Sequence, residues 1–202
     1  MSAIEKLKID LNRLGTKYSP QQCQTESAFA YKWQRRDTYE SDAFREKTKK
    51  WLLERYCEND ASIIKKWLSG APKIILDAGC GAGWSALLLF GDLLNMHDYL
   101  GVDISSAVDV ARTRFAENKI RGEFLKCSLT DLPIPDESID LIFSEGVLHH
   151  TDSTEKSLKY LAMKLKNEGR FLFYVYKKKA VIREFTDGYV REAIKELNDE
   201  QA

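Results

Sequence analysis

No apolar run in this 202-residue chain approaches the roughly 20 residues that a membrane-spanning helix needs. Charge of neither sign is in excess: Lys and Arg number 31, Asp and Glu also 31. A general nucleic-acid grip needs positive charge concentrated on one face, so that class of partner is not expected. The short run Lys177 to Lys179 reads as a solvated strand exit. Histidine is scarce, and none of the three sits in a cluster of cysteines or acids, which argues against a structural metal. The four cysteines (Cys23, Cys57, Cys80, Cys127) form no CxxC pair. Reduced, unlinked thiols in a cytoplasmic protein are the expectation. The opening MSAIEKLKIDLNRLG is charged throughout and lacks a signal-peptide core. Internal repeats and low-complexity segments are absent too. The length suits one sizeable domain with one core.

What the chain does have is centred on KIILDAGCGAGWSALLL, from Lys73 to Leu89. An apolar run (Ile74, Ile75, Leu76) ends in Asp77, glycines follow at 79, 81 and 83, and a second apolar run begins at Ala86. This is the pattern of strand, glycine turn and helix at a nucleotide-type site. Glycine lets the backbone turn with positive φ and lets a ligand approach the main chain.

Upstream, Ile4, Leu7, Leu11 and Leu14 fit helical spacing, and Gly15 to Thr25 reads as a loop containing Pro20. The next stretch is rich in aromatics. Ser41 can cap a helix whose apolar face includes Phe44, Thr48, Trp51 and Leu52, while Phe29, Tyr31 and Trp33 are candidates for a lid over a ligand cleft or for core cover. Asp60 can cap a short helix buried through Ile63, Ile64, Trp67 and Leu68. Residues 1–72 thus read as a helical, aromatic extension. Downstream, strands are expected at Ile74–Asp77, Tyr99–Asp103, Gly122–Cys127, Ile139–Ser144 and Gly169–Tyr176, with helices over Ser85–Leu94, after Ser105 or Ser106, and from an Asp152/Glu155 capping box to Lys166. Alternation of this kind specifies an α/β fold, a doubly wound, mostly parallel sheet with helices on both faces. Ligands of such sheets sit beyond the carboxyl ends of the strands, where Asp77, Asp103, Ser128, Ser144 and Glu145 all fall.

A dinucleotide site would show GxGxxG. Here Trp84 stands where the third glycine belongs, and Asp77 would repel a pyrophosphate. A phosphate-free ligand bearing an α-amino group suits the acceptors better, and Asp103 can take two ribose hydroxyls. LDAGCGAGWSALLL, then GVDIS, then LPIPDESIDLIFSEGVLHHT, resembles the class I S-adenosylmethionine-dependent methyltransferases of the type 11-like group over about residues 73–176. TESAFAYKWQRRDTY is similar to an aromatic element that some members carry ahead of the domain, and YVYKKKAVIREFTDGYVR to a segment after their fifth strand.

The resemblance implies S-adenosyl-L-methionine as cofactor, S-adenosyl-L-homocysteine as product and a small-molecule acceptor. It assigns the methionine moiety to Asp77, Ala78 and the Gly79-Cys80-Gly81 turn, the ribose to Asp103 and the adenine face to Ile104. The adenine edge would lie against Ser128 and Leu129, with a serine where family members usually have an aspartate. Ser144 and Glu145 would line the junction of cofactor and acceptor. His149 and His150 are the candidate bases for an acceptor that must lose a proton, against the bland reading of turn residues. Cys80 reads as packing rather than as a nucleophile. The sequence has neither the Asn/Asp-Pro-Pro-aromatic tetrad nor the Pro-Cys pair of DNA-base methylation.

Family members close their sheet with two more strands. After Tyr176 the pattern is helical (Val181, Ile182, Phe185, Tyr189), so five strands and a C-terminal helix over 177–202 are expected. The fifth strand would then be an edge for that helix, the N-terminal segment or a second subunit to cover. A cofactor-binding or interaction module without turnover is the alternative, and an NAD-dependent oxidoreductase a third reading.

Overall fold

A computed structural model of the chain describes residues 2–14, 18–36 and 39–176. Five strands form one sheet: β1 (Ile74–Ala78), β2 (Asp98–Asp103), β3 (Glu123–Lys126), β4 (Ile139–Glu145) and β5 (Leu165–Tyr174). Their order is β3-β2-β1-β4-β5, with every neighbouring pair parallel. The chain winds outward from β1 through β2 to β3, then returns to β1's other side as β4. That reversal opens a crevice beyond the carboxyl ends of β1 and β4.

The strands are apolar on both faces because helices cover both. One face carries Ile75, Tyr99, Phe124, Leu141 and Phe143, packed with Leu52 of α3 (Asp42–Cys57), Leu88 of α5 (Trp84–Phe90) and Phe115 of α6 (Ala107–Glu117). The other carries Leu76, Leu100, Val102, Leu125 and Ile142, packed with Ala3 of α1 (Ala3–Lys6) and Leu161 of α7 (Thr154–Lys164). Alternation along each strand therefore decides which residues can reach the α3–α6 face, and Asp77, Asp103 and Glu145 all share it by parity. Two helices remain, α2 (Pro20–Gln34) and α4 (Ser62–Trp67).

Several expected boundaries move. The leading apolar residues do not form one helix: α1 stops at Lys6, Leu7 and Ile9 are buried beyond it, and Leu11 is exposed. The supposed loop up to Thr25 is helical from Pro20, because Ser19 and Gln22 close a capping box and proline suits the first helical position. Ser41 does cap α3, but Phe44 and Trp51 are exposed and Leu52 and Cys57 provide the buried contacts. Asp60 accepts from the Ser62 N–H at 2.8 Å, and α4 buries Ile64, with Leu68 just beyond it; Ile63 and Trp67 are half-buried. After α5 the chain tightens into a 3-10 turn over Gly91–Met96.

The cap of α7 is Ser153, which accepts from the Lys156 N–H, while Asp152 instead accepts from the Ser19 hydroxyl at 3.1 Å. α7 ends at Lys164 because Leu165 already pairs with Ile139. The regular part of β5 resumes at Arg170, after an irregular stretch that includes Glu168 at positive φ. The expected C-terminal helix lies outside the described residues.

Candidate functional site

At the end of β1 the chain turns sharply enough that the Gly79 and Cys80 N–H groups both donate to the Val102 carbonyl, at 2.7 and 2.9 Å. Two glycines there are required by space as well as by positive φ. A Cβ on Gly79 would lie 2.3 Å from the Val147 side chain, and one on Gly81 would lie 2.8 Å from the Trp33 indole nitrogen. The Gly81 N–H donates to Asp103 Oδ2 at 2.9 Å. The other carboxylate oxygen, Oδ1, accepts from the Ser105 N–H at 2.8 Å and its hydroxyl at 2.7 Å. Asp103 is therefore fixed against the glycine turn while it lines the cleft. Burial pushes its carboxyl upward, opposed by those donors.

Not every residue assigned from the sequence faces the cleft. Asp77 is buried and accepts from the Tyr99 hydroxyl at 2.6 Å. Desolvation pushes its carboxyl up to about 7, with the negative Asp103 and Glu145 adding to the rise. Ser144 turns to the opposite side of the sheet, where its hydroxyl donates to the Ala78 carbonyl at 2.8 Å. Cys80 is buried in the core and its thiol is held well above the ordinary range by burial. Asp77, Ala78, Cys80 and Ser144 shape the turn from behind rather than line the cavity, and Gly81, covered by the Trp33 indole, does not line it either.

The cleft itself has a volume of about 530 Å³, within the roughly 300–1,000 Å³ of small-molecule sites. Asp103, Ile104, Ser128, Leu129, Glu145 and Gly79 form its sheet-side wall. The opposite wall is α2, which presents Gln22, Thr25, Phe29, Lys32 and Trp33 from one helical face. Gln22 donates to Ser128 Oγ at 3.1 Å, and Phe29 meets His150 edge-on with centroids 5.0 Å apart. Tyr31 is off that face, accepting from Arg35 at 3.2 Å instead. Lys32 lies 4.8 Å from the Trp33 ring, and burial pushes its ammonium pKa down.

Sequence reading missed Gln22, Thr25 and Lys32. The signal was present: Ser19-Pro20-x-Gln22 starts a helix, and spacing from residue 22 then puts 25, 29, 32 and 33 together.

At the end of β4, Glu145 accepts from both Arg55 and the Tyr56 hydroxyl of α3. Burial, and then the bond to Glu145, raise the Tyr56 hydroxyl. Arg55 in turn stacks over Tyr174 at 3.5 Å and Trp51 at 4.0 Å. The two histidines separate. His150 lines the cleft, whereas His149 packs between His150 and Tyr176 with both ring nitrogens buried and unpartnered. Burial lowers its pKa and favours the neutral ring. A further residue found only from the structure is Arg114, buried on α6. It donates to the Ala82 carbonyl, to Glu40 and, at 3.0 Å, to Tyr39, whose hydroxyl reaches the Trp33 carbonyl at 2.8 Å. That chain of bonds links the glycine turn to the end of α2. Among the described residues no group of acids, histidines and cysteines could hold a metal.

A pinned acid at the end of β2, a glycine turn after β1 and an open crevice at the strand-order reversal thus come together in one cleft. Residues 76–173 match the family model described as a methyltransferase domain. That match, with the parallel order β3-β2-β1-β4-β5, gives this stretch the class I methyltransferase fold. Bacillus subtilis YcgJ, an uncharacterized methyltransferase, is 32% identical to it over 100 residues, which is 48% of this chain and 38% of YcgJ. The crystal structure of YcgJ superposes with a TM-score of 0.53 at 30% identity, covering 64% of this chain and 56% of that one. The geranyl diphosphate C-methyltransferase of Streptomyces coelicolor A3(2), solved with Mg2+, geranyl diphosphate and S-adenosyl-L-homocysteine, shares the fold with a TM-score of 0.58. It is 18% identical and is covered over 73% of its length by 86% of this chain. The chain thus spans well under two thirds of YcgJ. The matched stretch begins within β1, at Leu76, three residues before Gly79, and ends at Phe173 inside β5, so it contains the sheet-side wall and leaves out α2.

Proposed function

We propose that this chain binds S-adenosyl-L-methionine in the cleft and transfers its methyl group to a small-molecule acceptor in the cytoplasm. The observation that carries this is Asp103, a buried carboxylate fixed by Gly81 and Ser105 yet still facing the cavity. Three of its four lone-pair sites are taken by Gly81 and Ser105; the one left on Oδ2, and the one on Oδ1 that the Ser105 hydroxyl frees when it rotates away, suit the vicinal hydroxyls of a ribose. The residues fit the cofactor: the turn at Gly79 is closed to any side chain, and the walls combine Ile104, Leu129 and Phe29 with a few polar groups. The unpaired cysteines support the cytoplasmic setting.

When bound, the cofactor supplies the activated methyl group. The chain supplies position and dryness. Asp103 orients the nucleoside, Gly79 lets its amino-acid end lie against the backbone, and Gly81 lets Trp33 close over the turn. Ile104 and Leu129 offer an apolar surface to the base. Phe29 and Trp33 of α2 act as the lid that excludes water. Glu145, neutralised by Arg55 and held by Tyr56, keeps the far end of the cleft from repelling an acceptor. His150 is the residue positioned to hold a proton lost by the acceptor; the inward packing of His149 removes it from that role.

Titration calorimetry with S-adenosyl-L-homocysteine tests the reading. Saturable binding to the wild type, abolished or weakened at least tenfold by Asp103→Ala, is expected. Binding of NAD in its place would overturn it. Transfer of labelled methyl to an acceptor panel then separates an enzyme from a module that binds without turnover.

A further inference from the structure

The end of the cleft beside β3 is lined without a formal charge. Ser128, Leu129, Gln22 and Thr25 form it. Each charged group on the cleft wall is elsewhere. Asp103 is held at the end of β2, Glu145 is paired at the end of β4, and His150 follows β4. Lys32 is ten residues further along α2 than Gln22, about 15 Å at 1.5 Å per residue. Asp131, three residues beyond Ser128, is exposed and off the wall.

Of the polar groups that remain the Ser128 hydroxyl is two-way, while the Gln22 amide oxygen is held by the Ser19 N–H at 3.0 Å and leaves Gln22 a donor. Ser128 Oγ accepts from Gln22 Nε2 at 3.1 Å and lies 3.0 Å from Thr130 Oγ1, where either hydroxyl can be the donor. A hydroxyl rotates to give or take a proton, and the Gln22 amide has a second N–H. A carboxylate in this place could only accept.

We propose that this end of the cleft reads a purine edge with donor–acceptor groups, so that the site takes a 6-oxopurine nucleoside as well as a 6-aminopurine one. The inference rests on the cofactor site proposed above. Sheet order fixes the assignment: with ribose on Asp103 after β2 and the amino-acid end at the turn after β1, the base must extend toward β3. A 6-aminopurine donates at its 6-position and accepts at N1. A 6-oxopurine reverses both. Fixed acceptors reject the second pattern, because they meet a carbonyl oxygen; the Ser128 hydroxyl, with Thr130 Oγ1 behind it as a partner of either sense, can reverse with it.

Calorimetric titration of the whole chain with S-adenosyl-L-homocysteine and with S-inosyl-L-homocysteine decides the matter. The two dissociation constants are expected to agree within about tenfold, a difference of at most about 1.4 kcal/mol. Ser128→Asp places an obligate acceptor at the base edge and is expected to widen the gap at least a further tenfold against the inosine compound. Gln22→Glu does the same from the lid side and retains the Ser19 capping box, so the test survives if the first variant misfolds. A wild-type gap above tenfold overturns the inference and leaves the cofactor site standing. So does an unchanged gap in a folded carboxylate variant. If neither compound binds the wild type, the cofactor site falls as well.

Discussion

Asp103 shows how much a single carboxylate must do before a ligand arrives. Its two oxygens accept from separate backbone N–H groups, of Gly81 and Ser105, so both must be acceptors. Asparagine offers only one. Asp103→Asn is therefore expected to leave one N–H unsatisfied, costing about 1–3 kcal/mol of folding stability by urea titration. It also weakens S-adenosyl-L-homocysteine binding at least tenfold by calorimetry; unchanged affinity would remove Asp103 from the site. Asp77 makes a different prediction, because its raised carboxyl holds a proton in the folded state that the unfolded chain releases near pH 4. Between about pH 4 and pH 7 the folded state binds more protons, so this group's contribution to stability falls as pH rises and levels off above about 7. From pH 5 to pH 8 the loss is about 2.5 kcal/mol. Asp77→Asn should remove that slope, read as the difference between wild-type and variant urea titrations at the two pH values. Equal slopes would refute the assignment. Both aspartates were conspicuous in the sequence, but only their roles after folding separate them. Asp103 follows its strand into the cleft, while Asp77 is captured by Tyr99, a contact that depends on the β1–β2 register and is invisible to spacing along the chain.

At the scale of elements, the glycine turn and its strands were legible because local pattern fixes them: apolar runs of strand length, then glycines at positions no side chain can occupy. α2 was read half wrong. Pro20 and its polar neighbours looked like a loop, although proline is favoured at the first helical turn and Ser19 with Gln22 completes a capping box. That error hid Gln22, Thr25 and Lys32, and with them one whole wall of the cleft. The same logic misplaced the start of α7, where Ser153 outcompetes Asp152 because Asp152 is committed to Ser19, a partner 133 residues away. That contact and the capping box both pass through Ser19, so α2 is tied to the sheet partly by its first residues. Ser19→Ala should fray the start of α2 at a cost of about 1 kcal/mol. It should also weaken S-adenosyl-L-homocysteine binding severalfold, because the Gln22 N–H loses its acceptor and the loosened first turn carries Gln22 away from Ser128. Hydrogen exchange of the first turn of α2, faster in the variant, would report the local event; unchanged exchange would show that the cap does not hold the wall.

The whole molecule is asymmetric about its sheet. At the β3 side, α1 fastens to the amino ends of the strands through the Ile4 N–H to Glu123 at 2.9 Å and Lys6 to Asp98 at 2.6 Å, remote from the cleft. At the β5 side, Trp51 and Arg55 pack on Tyr174 from one face, but among the described residues β5 pairs with β4 alone. Of the N-terminal segment, a candidate to cover that edge, α1 is therefore engaged at the other side, and α3 packs on the face of β5. Phe173 on β5 is 41% exposed, and Tyr176, two residues past the end of the strand, 54%, large aromatic surfaces beside a strand that has one unpaired edge among the described residues. Such an edge favours pairing with another chain, and a lysine on it is a common guard. Phe173→Lys is accordingly expected to lower self-association, seen by light scattering as a smaller mass than the wild type at equal concentration. Because nearly half of the Phe173 surface already meets water, the folding free energy should change by less than about 1 kcal/mol. Affinity for S-adenosyl-L-homocysteine should also hold, since Phe173 points to the face opposite Asp103 and Glu145. An identical mass in both proteins would mean that the β5 edge is not where copies of this chain meet, and a loss of ligand affinity would mean that the edge and the cleft are coupled through β4.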